Sequence, residues 1–130
     1  MCWTNHMAIS IVLKKPLRVY KVGTVSIFGG FISLFRDFMY RESQTMPTIK
    51  INPEFTRRHL FVPGYKPQMW DTFYIHEGYH SYLTKERAKY RSNGNNIGIF
   101  EIPAGATIYV NYRSKEVVST DIRYLGKLKL

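Results

Sequence analysis

Phe73-Tyr74-Ile75-His76-Glu77-Gly78-Tyr79-His80-Ser81-Tyr82-Leu83-Thr84-Lys85-Glu86-Arg87-Ala88-Lys89-Tyr90-Arg91 holds two readings of this chain that lead to different folds. His76 to His80 spells H-E-x-x-H. On a helix that spacing sets two histidines one turn apart, where they hold Zn²⁺ while the glutamate acts as general base toward a metal-bound water. In a strand His76 and His80 stand about 13 Å apart, too far for one metal unless the chain turns at Gly78.

The surrounding residues favour the strand. Phe73-Tyr74-Ile75 and Tyr79-His80-Ser81-Tyr82 are rich in aromatic and β-branched side chains, which suit a pleated surface. Gly78 in mid-motif would cost a helix about 1 kcal/mol relative to Ala. The third ligand of the longer metallopeptidase pattern is also missing, because Leu83 and Glu86 stand where Gly and His would be needed. A strand or turn ending in a structural histidine is therefore expected, with no metal and no cofactor. Helix chemistry begins at Thr84, a good N-cap, and continues through Lys85 to Arg91, giving one helix over about 84–91.

The rest of the chain reads as sheet. Leu17 to Val22 alternates. Thr24–Phe28 and Phe31–Phe35 are apolar runs split by a Gly29-Gly30 hairpin turn. Short strands are expected at 48–51 and 59–62. Ile97–Ile102 leads into Pro103-Ala104-Gly105, a type II turn from which Thr107–Tyr112 returns antiparallel. Further strands are expected at 117–119 and 121–125, with a basic tail over 126–130. The expected fold is α+β: one domain over 1–130, a mainly antiparallel meandering sheet with the single helix packed on it.

At 130 residues, with 45% hydrophobic and 15% aromatic content, the chain can bury a core. One cysteine, Cys2, excludes an internal disulfide framework and a Cys-cluster zinc site. Were Met1 removed, Cys2 would be an N-terminal nucleophile whose own amine serves as base; a packed Cys-Trp pair is the plainer reading. The most apolar run, Val22 to Phe35, is too short to span a bilayer, and Met1-Cys2-Trp3 lacks the marks of a secretory signal. The expectation is a cytoplasmic protein with no membrane partner.

The formal charge is +10 and the pI about 9.8. Residues 1–58 carry nine positive and three acidic residues, a net +6; residues 59–130 carry ten and six, a net +4. Basicity spread in this way attracts polyanions: nucleic acid, nucleotides or an acidic protein surface. Lys85 and Lys89 share one helix face, and Arg87 and Arg91 another. With Arg57, Arg58, Lys127 and Lys129 they form the candidate binding set, beside Tyr65 and Trp70. Cation plus aromatic ring suits single-stranded nucleic acid or a nucleotide, charge for phosphate and rings for stacking. A merely solvated helix face is the plain alternative.

Met1-Cys2-Trp3, Val19-Tyr20-Lys21, Glu77-Gly78-Tyr79-His80-Ser81-Tyr82 before a short helix, Ile102-Pro103-Ala104-Gly105-Ala106 with Tyr109, and Val118-Ser119-Thr120-Asp121-Ile122 occur together and in this order. This set resembles small uncharacterised proteins of phages and mobile elements of Bacteroides-type bacteria. Their pattern is a Cys-Trp start, V-Y-K, G-F-H-S-F, a helix, I-P-x-G and S-D-x-I. The resemblance spans nearly the whole chain and implies a phage or mobile-element setting and a common fold, without an activity. In that pattern Gly78-Tyr79-His80-Ser81 recurs and His76 is incidental.

The expectation is thus a phage-type accessory protein that binds an anionic partner, as in counter-defence against the host, with self-association left open. A second reading is enzymatic. The aromatic-His-small strand resembles the NAD-binding strand of ADP-ribosyltransferase-like folds, which would give His80 a ribose hydroxyl, Tyr90 or Tyr109 the nicotinamide, and Glu101 or Glu116 the role of catalytic carboxylate. A third is a virion-associated structural role.

Overall fold

Alternation along residues 17–25 places Val19 and Lys21 on one face and Arg18 and Tyr20 on the other, and it builds the longest strand among the described residues. The structure, a computed structural model, describes residues 3–5, 10–26, 29–33, 39–42, 44–51, 54–55, 73–75, 77–112 and 114–129. In chain order these form β1 (Trp3–Asn5), β2 (Ser10–Val12), β3 (Leu17–Val25), β4 (Phe31–Ser33), β5 (Met39–Tyr40) and β6 (Glu54–Phe55). They continue with β7 (Phe73–Ile75), β8 (Tyr79–Tyr82), α1 (Lys85–Ser92), β9 (Asn96–Ile102), β10 (Thr107–Asn111), β11 (Glu116–Ser119) and β12 (Arg123–Lys127). The described part is mainly antiparallel sheet with one short helix, as expected in outline.

The large sheet runs β12-β9-β3-β8-β11-β10-β2, with β4 paired to the far end of β3 and β5 to β4; β1, β7 and β6 form a second, three-stranded sheet. This order is not the meander read from the sequence. Pro103-Ala104-Gly105 does turn in the type II manner, with Gly105 at φ +90° and the Ala106 amide donating to the Pro103 carbonyl at 3.2 Å. Yet β9 and β10 do not pair with each other. A type II turn splays its flanking strands, whereas hairpins need the primed turns whose twist matches the sheet.

Instead the two segments on either side of that turn pair with the two segments on either side of the 13–16 corner, in two ladders that share one offset. Leu17 faces Ile102 in β3–β9, and Val12 faces Thr107 in β2–β10, five residues on along both chains. Leu13 bridges the gap, donating to the Ala106 carbonyl at 2.9 Å and accepting from the Gly105 amide at 2.7 Å. Strand pairing stops between Val12 and Leu17, where Pro16 and Pro103 have no amide hydrogen for a ladder and the chain bends at 14–15 and turns at 104–105. Because β2 continues into β3, the path β3-β8-β11-β10-β2 returns to the strand it left. The sheet is curled like a small barrel.

Inside the curl lies the aromatic core. Phe100 meets Phe31 edge-on at 5.5 Å, Tyr40 edge-on at 4.9 Å and Tyr124 at 5.0 Å between ring centres. Val19, Ile102, Ile108, Val110, Val117 and Ile122 complete it. Two smaller clusters sit elsewhere: Val22, Ala88 and Ile97 under α1, and Ile51, Ile75 and Val118. Gly78, with φ +113°, enters β8 against the latter cluster, where a Cβ would lie 2.6 Å from Val118 Cγ1. This close approach accounts for the glycine in mid-motif.

Other expectations shift in detail. The hairpin at Gly29-Gly30 is present, with Val25 facing Phe31. Residues 48–51 are not a strand: after Pro47, which has no amide hydrogen, they clasp the β11–β12 corner through the Ile49 amide and the Thr120 carbonyl at 2.8 Å. The last strand begins at Arg123 rather than 121 and takes in Lys127 from the expected tail. The strand expected at 59–62 lies outside the described residues.

Candidate functional site: the basic surface of α1

α1 forms where the local chemistry places it. Thr84 is extended and its hydroxyl accepts from the Arg87 amide at 3.2 Å, while Asn93 closes the helix in the left-handed conformation. Ala88 is buried on Val22 and Ile97, so α1 lies on the outer face of β3 and β9. Opposite Ala88 stand the exposed Glu86 and Tyr90, one turn apart; Lys85, Lys89 and Arg91 are exposed along the flanks, with Arg87 half-buried. Tyr90 is 76% exposed, and the guanidinium carbons of Arg87 and Arg91 lie 5.3 and 5.8 Å from its ring centre.

The C-terminal segment joins this surface. The Leu128 amide donates to the Ile97 carbonyl at 2.8 Å, and its side chain packs against the cluster beneath α1. Lys127 and Lys129, either side of Leu128, are exposed. Leu128 thus ties the tail to the cluster beneath α1, while strand alternation turns Lys127, the partner of Gly98, to the other face of the sheet. On the other flank, burial and then Glu116 push the Tyr82 hydroxyl above its ordinary pKa, while Arg91 and Arg87 pull it down. The two arginines thus also lie beside β8. Arg57, Arg58, Tyr65, Trp70, Cys2 and His76 lie outside the described residues.

The residues of the enzymatic reading do not converge. Tyr20 of β3 faces Tyr82 of β8, and Arg18 of β3 faces Glu101 of β9. By that register His80 and Glu101 stand two strands and four residues apart, about 16 Å. Glu101 is held by Arg123 at 2.7 Å. Tyr109 packs on the cluster of Ile51, Ile75 and Val118. Glu116 faces Tyr82 across β11–β8. His80 is half-buried on β8, which is a strand and not the helix the zinc motif requires. Among the described residues no three His, Cys, Asp or Glu side chains gather to hold a metal, and no helix is long and apolar enough to cross a membrane.

Among the described residues, one charged side chain lies inside the curl. Lys21 is 4% exposed; its Nζ donates to the His80 carbonyl at 2.5 Å and sits 5.4 Å from the Tyr40 ring centre and 5.8 Å from that of Phe100. Burial lowers its pKa from 10.5 to about 7. Burial, and secondly Tyr79, raises that of the Tyr40 hydroxyl. The signal for Lys21 was present in the sequence, since strand parity gives it the same face as Val19.

No known protein family matches this chain, and neither a curated protein nor a solved structure shows significant similarity to it. The reading of function rests on the site itself.

Proposed function

We propose that this is a small basic accessory protein, of the phage type its sequence resembles, that binds nucleic acid through α1 and the C-terminal segment rather than catalysing a reaction. The observation that carries the reading is Tyr90, exposed beside the guanidiniums of Arg87 and Arg91 and bordered by Lys89. Guanidiniums and ammoniums neutralise phosphates, and an open ring offers a face to a base. A carboxylate-rich protein surface would use the charges but leave Tyr90 idle.

The test separates a site from general basicity. Wild type, the double variant Lys89→Glu/Arg91→Glu and the double variant Lys14→Glu/Lys15→Glu are titrated with a fluorescent oligonucleotide over a range of salt. The two variants have equal net charge, and Lys14 and Lys15 are exposed at the far corner of the bent ribbon. The α1 variant is expected to lose on the order of a hundredfold in affinity and to flatten the salt dependence, the corner variant only a few-fold. Equal losses would sink the site.

A further inference from the structure

The hairpin that joins β10 to β11 ends in a second exposed tyrosine. Tyr112 is 51% exposed at its tip, next to the exposed Lys115. Local bonds hold the described residues of the tip. Asn111 Oδ1 accepts from the Ser114 amide at 3.3 Å, and Lys115 takes φ +58°. It is also tied to the start of α1, because the Leu83 amide donates to the Lys115 carbonyl at 2.8 Å. Behind the tip, Asn111 faces Glu116, and Glu116 faces Tyr82, the residue that Arg87 and Arg91 reach from the helix. This run of the surface joins the helix that carries Tyr90, by way of the arginines, Tyr82 and Glu116, to the hairpin that carries Tyr112.

We infer that a single strand of nucleic acid lies along this run, with unpaired bases stacked on Tyr90 at one end and on Tyr112 at the other. The inference rests on the reading of α1 as a nucleic-acid surface and names the form it takes. Two features favour a single strand. Exposed rings can be stacked only by bases whose faces are free, and in a duplex the neighbouring base pairs occupy them. A duplex-reading helix also presents its N-terminal residues to the groove, and here the first turn carries the exposed carboxylate of Glu86. β10 and β8 are two strands apart, roughly 10 Å, and the helix layer adds a similar distance. That span suits a footprint on the order of four to six nucleotides, near the lower end for one small β domain.

The experiment is fluorescence anisotropy with an eight-nucleotide oligothymidylate and with a hairpin duplex of matched charge, using wild type, Tyr112→Ala and Tyr112→Phe. The expected result is tighter binding of the oligothymidylate, a roughly tenfold loss in Tyr112→Ala for that probe alone, and retention within about twofold in Tyr112→Phe. Thermal melting confirms that the exposed substitution leaves the fold intact. Equal binding of both probes, or an alanine variant that binds the oligothymidylate like wild type, overturns the single-strand path while the charge-based reading of α1 survives. Failure of wild type to bind either probe at low salt overturns both.

Discussion

Lys21 inside the curled sheet and Arg87 on α1 each place a cation within 6 Å of a tyrosine ring centre, Tyr40 for the one and Tyr90 for the other. The geometry is similar and the consequences are opposite. Around Lys21 water is excluded, so the charge is costly, and the His80 carbonyl and two rings only partly replace the lost hydration. Around Tyr90 water remains: the ring and Arg91 are exposed and open to a ligand, and Arg87, half-buried with its Nε shielded, is open in part. A cation–aromatic pair thus serves the fold where it is dry and recognition where it is wet. Burial makes the difference, not residue type.

The largest effect expected from breaking this contrast is on pH. The unfolded chain holds the Lys21 proton up to its ordinary pKa of 10.5, the folded chain only to about 7. Between those values the unfolded state binds more protons, so stability rises with pH; below pH 7 both states are charged and the cost of burial is borne in full. Its upper bound is about 5 kcal/mol, which the carbonyl and rings reduce to a few. Chemical denaturation at pH 6 and pH 9 is expected to show the protein markedly more stable at pH 9. Lys21→Met should remove most of that slope, and a slope unchanged in this variant would show that Lys21 is not its source. Affinity for oligonucleotide at constant pH should stay as it was, because the wet region is untouched.

Gly78→Ala comes next. A Cβ there meets Val118 Cγ1 and Ile51 Cγ1 in a backbone conformation that side chains rarely adopt. A loss of about 3 kcal/mol is expected, read as a fall of roughly 10 °C in Tm with the pH slope preserved. A wild-type Tm would mean that the entry into β8 is not built as described. The smallest effect is at the wet region. Thr84→Ala removes the N-cap and should cost about 1 kcal/mol. Oligonucleotide affinity should fall with it, since Arg87 and Tyr90 ride on that helix, and Thr84→Ser should restore both. Lower stability with unaltered affinity would detach binding from α1.

What could be read without a structure follows from how local each cause is. α1 was legible because its cap and its helix formers are neighbours along the chain, and so were the four basic residues it displays. Strand alternation at Leu17–Val22 was equally legible, though the strand runs on to Val25, and by parity it contained the burial of Lys21. The corner at Pro103-Ala104-Gly105 was misread as a hairpin because a turn shows its own conformation but not its strands' partners. Those partners lie near Pro16, more than eighty residues away. For the same reason Leu128 gave no hint of joining α1: only the register of β12 on β9 brings it there.

The two ladders that pair residues 10–12 with 107–109 and 17–23 with 96–102 have a consequence for how the molecule comes into being. Neither ladder can form until a loop of more than seventy residues has closed, and during synthesis β3 emerges long before the strand it needs. Contacts this distant slow folding toward the millisecond-to-second range of β-rich domains. In the interval β3 offers an unpaired edge to any neighbouring chain. Arg18 and Lys21, charges on opposite faces of that waiting strand, are well placed to discourage the wrong partner, the second of them at the expense of a dry lysine in the finished core.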